Sequence, residues 1–196
     1  MIDALAQYAE ETSGCTRCPL SATRTQVVFG SGDPNAELMF VGEAPGFHED
    51  QQGVPFVGQA GQLLEKLLNG IGLSRTDVYI ANVLKCRPPG NRNPEPEEVA
   101  SCSPHLLRQI ELIRPKLILA MGRFAAQTLL GSDATIASLR GRVHQYAGVP
   151  LVVTYHPAYL LRNLPDKAKA WEDMLLARRT VATSERRIVT VAPPVG

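Results

Sequence analysis

The sequence predicts an α/β fold: a three-layer sandwich in which a small, mostly parallel four-stranded sheet is flanked by helices. Three observations predict it. Four short apolar runs, at residues 38–41, 78–83, 117–121 and 151–155, read as strands buried on both faces. Segments of helical periodicity lie between them, the alternation that builds a parallel sheet. Unusual polar residues follow the runs, at the strand ends where open α/β sheets place their ligand crevice.

The elements follow in order. A helix is expected over residues 2–11, leading into the turn between Cys15 and Cys18. The first strand ends in Gly42-Glu43-Ala44-Pro45-Gly46. A helix over residues 62–71 carries Leu63, Leu64, Leu67 and Leu68 at helical spacing. The second strand closes with Asn82 and runs into Lys85-Cys86. The helix over residues 96–113 has Pro96 and three glutamates around its start, then Leu106, Leu107, Ile110 and Ile113 on one face. Gly122 follows the third strand and opens a helix to residue 130. His156-Pro157 follows the fourth strand, and a helix over residues 167–181 completes the set. Residues 1–183 are expected to form one domain. From about Ser184, with Pro193-Pro194-Val195-Gly196 at its end, the chain reads as a loose tail.

Composition bounds the function. The chain has 196 residues, 44% apolar and 20% charged, enough to bury a core. No apolar run approaches the roughly 20 residues of a membrane helix. No basic-then-apolar leader opens the chain, so a cytosolic protein, with no membrane partner, is expected. The formal charge of +1 hides a gradient. Residues 1–100 carry 7 Lys/Arg against 13 Asp/Glu, and residues 101–196 carry 13 against 6. Fifteen of the 20 basic residues are arginine, whose fork suits phosphate. A basic half permits nucleic-acid binding; surface ion pairs explain it equally.

Four cysteines in a cytosolic chain point away from disulfides. Cys15 and Cys18 form a C-x2-C around a tight turn. Cys86 and Cys102 are split by a Pro/Asn-rich stretch of 15 residues, too irregular for a zinc-ribbon knuckle. Four thiolates with a long sequence gap suit an iron–sulfur cluster as well as zinc, and spacing alone leaves both open, besides four unrelated buried thiols.

Individually the strand-end residues have bland readings. Glu43 sits in what reads as a tight turn, lacking the features of a phosphate or dinucleotide loop. Phe56, in Pro55-Phe56-Val57-Gly58, reads as core, Asn82 as a cap, and His156 as a satisfied core histidine. Their convergence on one edge of the sheet argues for one site.

Together, Cys15-x2-Cys18, Gly42-Glu43-Ala44-Pro45-Gly46, Pro55-Phe56-Val57-Gly58, Asn82, Lys85-Cys86-Arg87-Pro88-Pro89, Asn91-Arg92, Cys102 and His156-Pro157-Ala158-Tyr159-Leu160-Leu161-Arg162 resemble family 4 uracil-DNA glycosylases. This is the bacterial and archaeal class with a 4Fe–4S cluster. The likeness runs from about Cys15 to Trp171. It implies the uracil-DNA glycosylase fold, a monomer acting on uracil in single- or double-stranded DNA, and a 4Fe–4S cluster held by Cys15, Cys18, Cys86 and Cys102.

The resemblance also implies roles. His156 would donate to the uracil O2 as negative charge develops there. Glu43 would orient water or balance the sugar cation, and Asn91 is a third catalytic candidate. Phe56 would stack on the flipped base and Asn82 would pair with O4 and N3–H, a pairing cytosine cannot make. Gly42 and Ala44 join them as uracil-binding positions, and Glu49 would wall off the 5-position against thymine. Leu160, Leu161 and Arg162 would fill the gap in the stack and reach a phosphate. Arg140, Arg142 and His144 read equally as DNA-groove residues or as a solvated loop. With no lysine read in the motifs to form a Schiff base, a glycosylase without lyase activity is expected. A relative that binds uracil-DNA without turnover is the nearest alternative, and such relatives carry a basic insertion after the second strand that is missing here. A non-catalytic metal-cluster nucleic-acid-binding protein is the other.

Overall fold

Asp3 opens the first helix of the computed structural model, which describes residues 3–186. Ile2, expected in that helix, and the Pro193-Pro194 tail lie outside the described residues. The Asp3 carboxylate accepts from the Leu5 N–H at 3.1 Å and caps α1 (Ala4–Thr12), so the helix starts two residues later than its apolar pattern suggests. Beyond it, residues 13–30 hold one short 3-10 turn (Pro19–Ala22) and are tied down by single bonds. Thr25 N–H donates to buried Asp50 at 2.8 Å, and Val28 N–H donates to the Lys85 carbonyl at 2.7 Å.

The four expected strands form the parallel centre of the sheet. In spatial order they are β3 (Tyr79–Asn82), β2 (Leu38–Gly42), β4 (Leu117–Met121) and β6 (Val149–Thr154). Two edge strands were not expected. β1 (Ser31–Gly32) pairs antiparallel with β3, and β5 (His144–Tyr146) pairs antiparallel with β6, making six strands in all. Both are two- or three-residue segments without an apolar run, so nothing in their composition announces a strand. The sheet is therefore mixed only at its borders, and the α/β class stands.

The apolar runs are continuous because both faces are covered. Met39, Val41, Ala81, Ile118, Ala120 and Val153 face one layer, with Leu106 and Ile110 of α4 (Pro96–Ile113) and Ala125 of α5 (Arg123–Leu130). Their neighbours in sequence, Leu38, Phe40, Ile80, Leu119 and Val152, face the other, with Leu64 and Leu68 of α3 (Gln59–Gly70) and Met174 of α8 (Lys167–Thr183). The period of two is the pleat itself.

Three further helices are too short to carry a periodic signal. They are α2 (Phe47–Gln52), α6 (Ile136–Leu139) and α7 (Pro157–Arg162). α2 follows the end of β2 and α7 the end of β6, so both stand on the rim where the parallel strands finish. β2, the first of the parallel four, has β3 on one side and β4 on the other. The winding reverses beside it, and such a reversal opens a crevice at the carboxyl ends of the strands. No helix among the described residues is long and apolar enough to cross a membrane.

Candidate active site

Gly42 closes β2 without a side chain, and the structure shows why. A Cβ there would lie 2.5 Å from Asn82 Oδ1 and 2.7 Å from Phe56 Cζ. The missing group lets the end of β3 and the Phe56 loop meet. Gly42 thus serves the site from behind, by leaving space. Asn82 is 2% exposed, and its Oδ1 is buried with no hydrogen-bond partner among the described residues. An unpaired buried amide oxygen costs roughly 1–3 kcal/mol in water-free surroundings, which marks it as a group not committed to the fold.

Phe56 packs with His156, ring centroids 5.5 Å apart and planes tilted by 32°. His156 is the N-cap of α7: its Nδ1 accepts from the Ala158 N–H at 3.0 Å. That bond leaves the single proton of the neutral ring on Nε2. Burial pushes the His156 pKa down to about 4, partly offset by the Glu49 carboxylate, so the ring is a neutral donor at physiological pH. Gly122, at the end of β4 with φ of 94°, gives the imidazole its place. A Cβ at 122 would meet His156 Cβ at 2.9 Å. Glu43 follows β2 half-buried, and burial raises its pKa above the usual carboxylate value.

One cavity of about 700 Å³ collects Glu43, Phe56, Asn82 and His156. The uracil DNA glycosylase superfamily model matches residues 29–175, the stretch that builds this cavity. The chain is 47% identical over 168 residues to a type-4 uracil-DNA glycosylase of Archaeoglobus fulgidus, covering 82% of this chain and 84% of that one. Against type-4 uracil-DNA glycosylases of Thermotoga maritima and Sulfurisphaera tokodaii it is 48% identical over 157 residues and 44% over 195. Those alignments cover 79% and 95% of this chain, and 82% and 88% of the relatives. The chain belongs to the type-4 uracil-DNA glycosylases.

Other residues expected in a type-4 site fare unevenly. Ala44, Asn91 and Arg162 line the cavity. Asn91, exposed and with φ of 56°, accepts from Arg87 Nε at 2.6 Å. Glu49 lines it as well, but its carboxylate is occupied as a staple. It accepts from the N–H groups of Gly46 (3.1 Å), Val57 (3.1 Å) and Gly58 (3.3 Å), joining α2 to the Phe56 loop. Leu160 is a correction: it is 0% exposed, packed with Leu63 of α3 and Ala170 of α8, and cannot enter a base stack. Leu161, 39% exposed, is the apolar side chain left for that task. Arg140 is also structural, its fork on Asp173 at 2.8 and 2.9 Å and its plane over Tyr155. His144 bonds to the Leu139 carbonyl. Arg92, basic and near Asn91, donates from both terminal guanidinium nitrogens to buried Glu98, at 2.8 and 2.9 Å.

Two features escaped the sequence reading. Phe47, 48% exposed at the cavity mouth with Arg87 over its ring at 5.4 Å, lies in a helix too short to be seen. Lys85 stands inside a quoted motif, contrary to the expectation that the motifs hold no lysine. It is fully buried, with burial lowering its pKa to about 8, and its ammonium donates to the Asn82 carbonyl at 2.8 Å. Lys85 does not line the cavity.

Cys15, Cys18, Cys86 and Cys102 line a second, small cavity with Arg24 and His105. Among the described residues, no three His, Cys, Asp or Glu side chains gather as they would around a single metal ion. The surroundings nevertheless fit an anionic sulfur-bound centre. Arg24 Nη1 lies 3.4 Å from Cys86 Sγ, the Lys85 N–H donates to Cys102 Sγ at 3.3 Å, and His105 Nε2 is 3.4 Å from Cys15 Sγ. Burial pushes both the Cys86 and Cys102 thiols up, Cys102 to about 11, so thiolates there need positive charge beside them.

Proposed function

We propose that the protein is a monofunctional uracil-DNA glycosylase of the cytoplasm, which flips uracil out of DNA and hydrolyses its N-glycosidic bond to start base excision repair. The observation that carries this reading is the convergence of Glu43, Phe56, Asn82 and His156 on one cavity at the strand ends. Each side chain there answers one demand of the reaction. A base inside a duplex cannot be reached, so it must be extruded. Phe56 offers a flat apolar face to the extruded ring. The Asn82 amide, without a partner at Oδ1 among the described residues, pairs with uracil N3–H and O4. Cytosine would set an N3 acceptor against that oxygen and an amine against the amide N–H.

As the C1′–N1 bond breaks, its electron pair leaves with the base, and negative charge spreads to O2. The Nε2–H of neutral His156 donates to that oxygen. The sugar is left with oxocarbenium character, which the Glu43 carboxylate balances while orienting water toward C1′. Water forms the new C–O bond, its proton passing to the Glu43 carboxylate and, by way of solvent, to the departing uracil anion, which leaves as neutral uracil. Buried Lys85, outside the cavity and bonded to Asn82, is not placed to form a Schiff base, which supports hydrolysis without strand cleavage. Asn91 and Arg162 at the mouth, with Leu161, provide contacts to the DNA around the flipped nucleotide.

A 4Fe–4S cluster held by Cys15, Cys18, Cys86 and Cys102 belongs to the same proposal. When bound, it would supply a covalent tie between the N-terminal turn and the loop that carries Asn91.

Incubation with a uracil-containing oligonucleotide tests the proposal: free uracil and an alkali-labile site are expected. A stable DNA–protein adduct, or no released base, would overturn it. Asn82→Asp tests the pairing, with the uracil-over-cytosine preference expected to fall by about 10-fold or more, a difference of roughly 1–3 kcal/mol.

A further inference from the structure

Phe56 holds its ring in the cavity with a strained backbone. Its φ is 55°, left-handed, a conformation that bulky side chains rarely adopt and that persists only where the surroundings impose it. The carbonyl side of this strained turn is gripped by one residue outside the cavity. Arg75, in the loop between α3 and β3, donates from Nη1 to the Phe56 carbonyl and from Nη2 to the Pro55 carbonyl. On the amide side, Glu49 accepts the N–H groups of the next two residues, Val57 and Gly58. Gly61 lets the Phe56 carbonyl point toward α3, since a Cβ there would sit 1.8 Å from its oxygen.

The charged group that faces Arg75 is Glu65, whose carboxylate is 3.6 Å from Nη1 and 49% exposed, a contact that contributes little. The guanidinium is thus directed chiefly at two carbonyls. A planar fork meets both at once; an ammonium on a lysine would meet one.

We propose that Arg75 is a positioning residue for uracil recognition, holding Phe56 in its left-handed turn so that the ring lies flat against the extruded base. This rests on the reading of Phe56 as the stacking residue. Arg75 touches neither base nor sugar and acts through Phe56 alone.

A double-mutant cycle read by inhibition with free uracil, alongside thermal stability, tests it. Phe56→Ala should weaken uracil binding by about 10-fold, within the range of a lost base–aromatic stack. Arg75→Ala should weaken it by about 5-fold in the native background and by less than about 2-fold on top of Phe56→Ala, the non-additivity of residues acting as a unit. Arg75→Lys, which keeps the charge, should recover only part of the loss. An equal effect of Arg75→Ala in both backgrounds, or full recovery by Arg75→Lys, would overturn the proposal. If Arg75→Ala does not fold, Arg75→Lys and Arg75→Gln carry the same cycle. Unchanged uracil binding in Phe56→Ala would instead overturn the stacking reading, and this proposal with it.

Discussion

His156 is neutral because it is buried and because Ala158 donates to its Nδ1, and both facts have consequences in acid. A histidine of ordinary pKa, about 6.5, is protonated in the unfolded chain well before the folded ring, held near 4, accepts a proton. Between those values the unfolded state binds more protons, so stability is expected to fall as pH drops from about 6.5 toward 4. Denaturant midpoints measured across that window should show the slope, and His156→Gln should reduce it, the remainder belonging to His105, which burial also lowers to about 4. The role proposed for Glu43 predicts an acid limb in catalysis. Burial raises its pKa, so kcat/KM should begin to fall above the usual carboxylate range. Glu43→Gln should remove that limb and lower the rate by about 10²–10³. Gly42→Ala places a methyl group between Asn82 and Phe56, and a displacement near 1 Å is worth about 100-fold in rate. A Gly42→Ala enzyme with native kinetics would show that the two side chains need no such close approach.

At the scale of elements, the short helix α7 divides its two leucines between opposite duties. Leu160 turns into the cluster with Leu63 and Ala170, while Leu161 turns out. Leu160→Ala should lower stability by about 2–5 kcal/mol. Leu161→Ala should leave stability within about 0.5 kcal/mol. Its activity should fall more on duplex than on single-stranded substrate, where no stack needs filling. Equal losses on both substrates would remove Leu161 from the flipping step. The leucines also show what sequence makes legible. The four parallel strands and α4 declare themselves through runs and periods long enough to count. So do the strand-end positions of Glu43, Asn82 and His156, because parallel strands place them on one rim. Which of two adjacent leucines is buried depends on a six-residue helix that no periodicity marks. The roles of Glu49 and Arg92 were hidden for a similar reason: their partners lie only three to nine residues away, but turns that no periodicity marks bring them together.

Across the whole molecule, the N-terminal turn meets Cys86, just after β3, and Cys102, in the second turn of α4, at four sulfurs. Beyond these the N-terminal segment is held by buried Leu20, packed with Leu84, and by bonds such as Thr25 to Asp50 and Val28 to Lys85. A cluster there would make the purified protein brown, with absorbance near about 400 nm. Its oxidative removal should expose residues 13–27 and 86–102 to protease while the sheet stays protected. Uniform protection after removal would show that the sulfurs tie nothing together. Lys85 joins this region to the end of β3: its peptide N–H donates to the Cys102 sulfur and its ammonium to the Asn82 carbonyl.

Gly122 gives the assembly its last lesson. The other three parallel strands hand over a carboxylate, an amide and an imidazole, whereas β4 hands over emptiness, and the ring of His156 leans into it. Anyone wishing to enlarge the enzyme's diet to bulkier bases should leave that hollow alone, because any side chain placed in it would dislodge the imidazole.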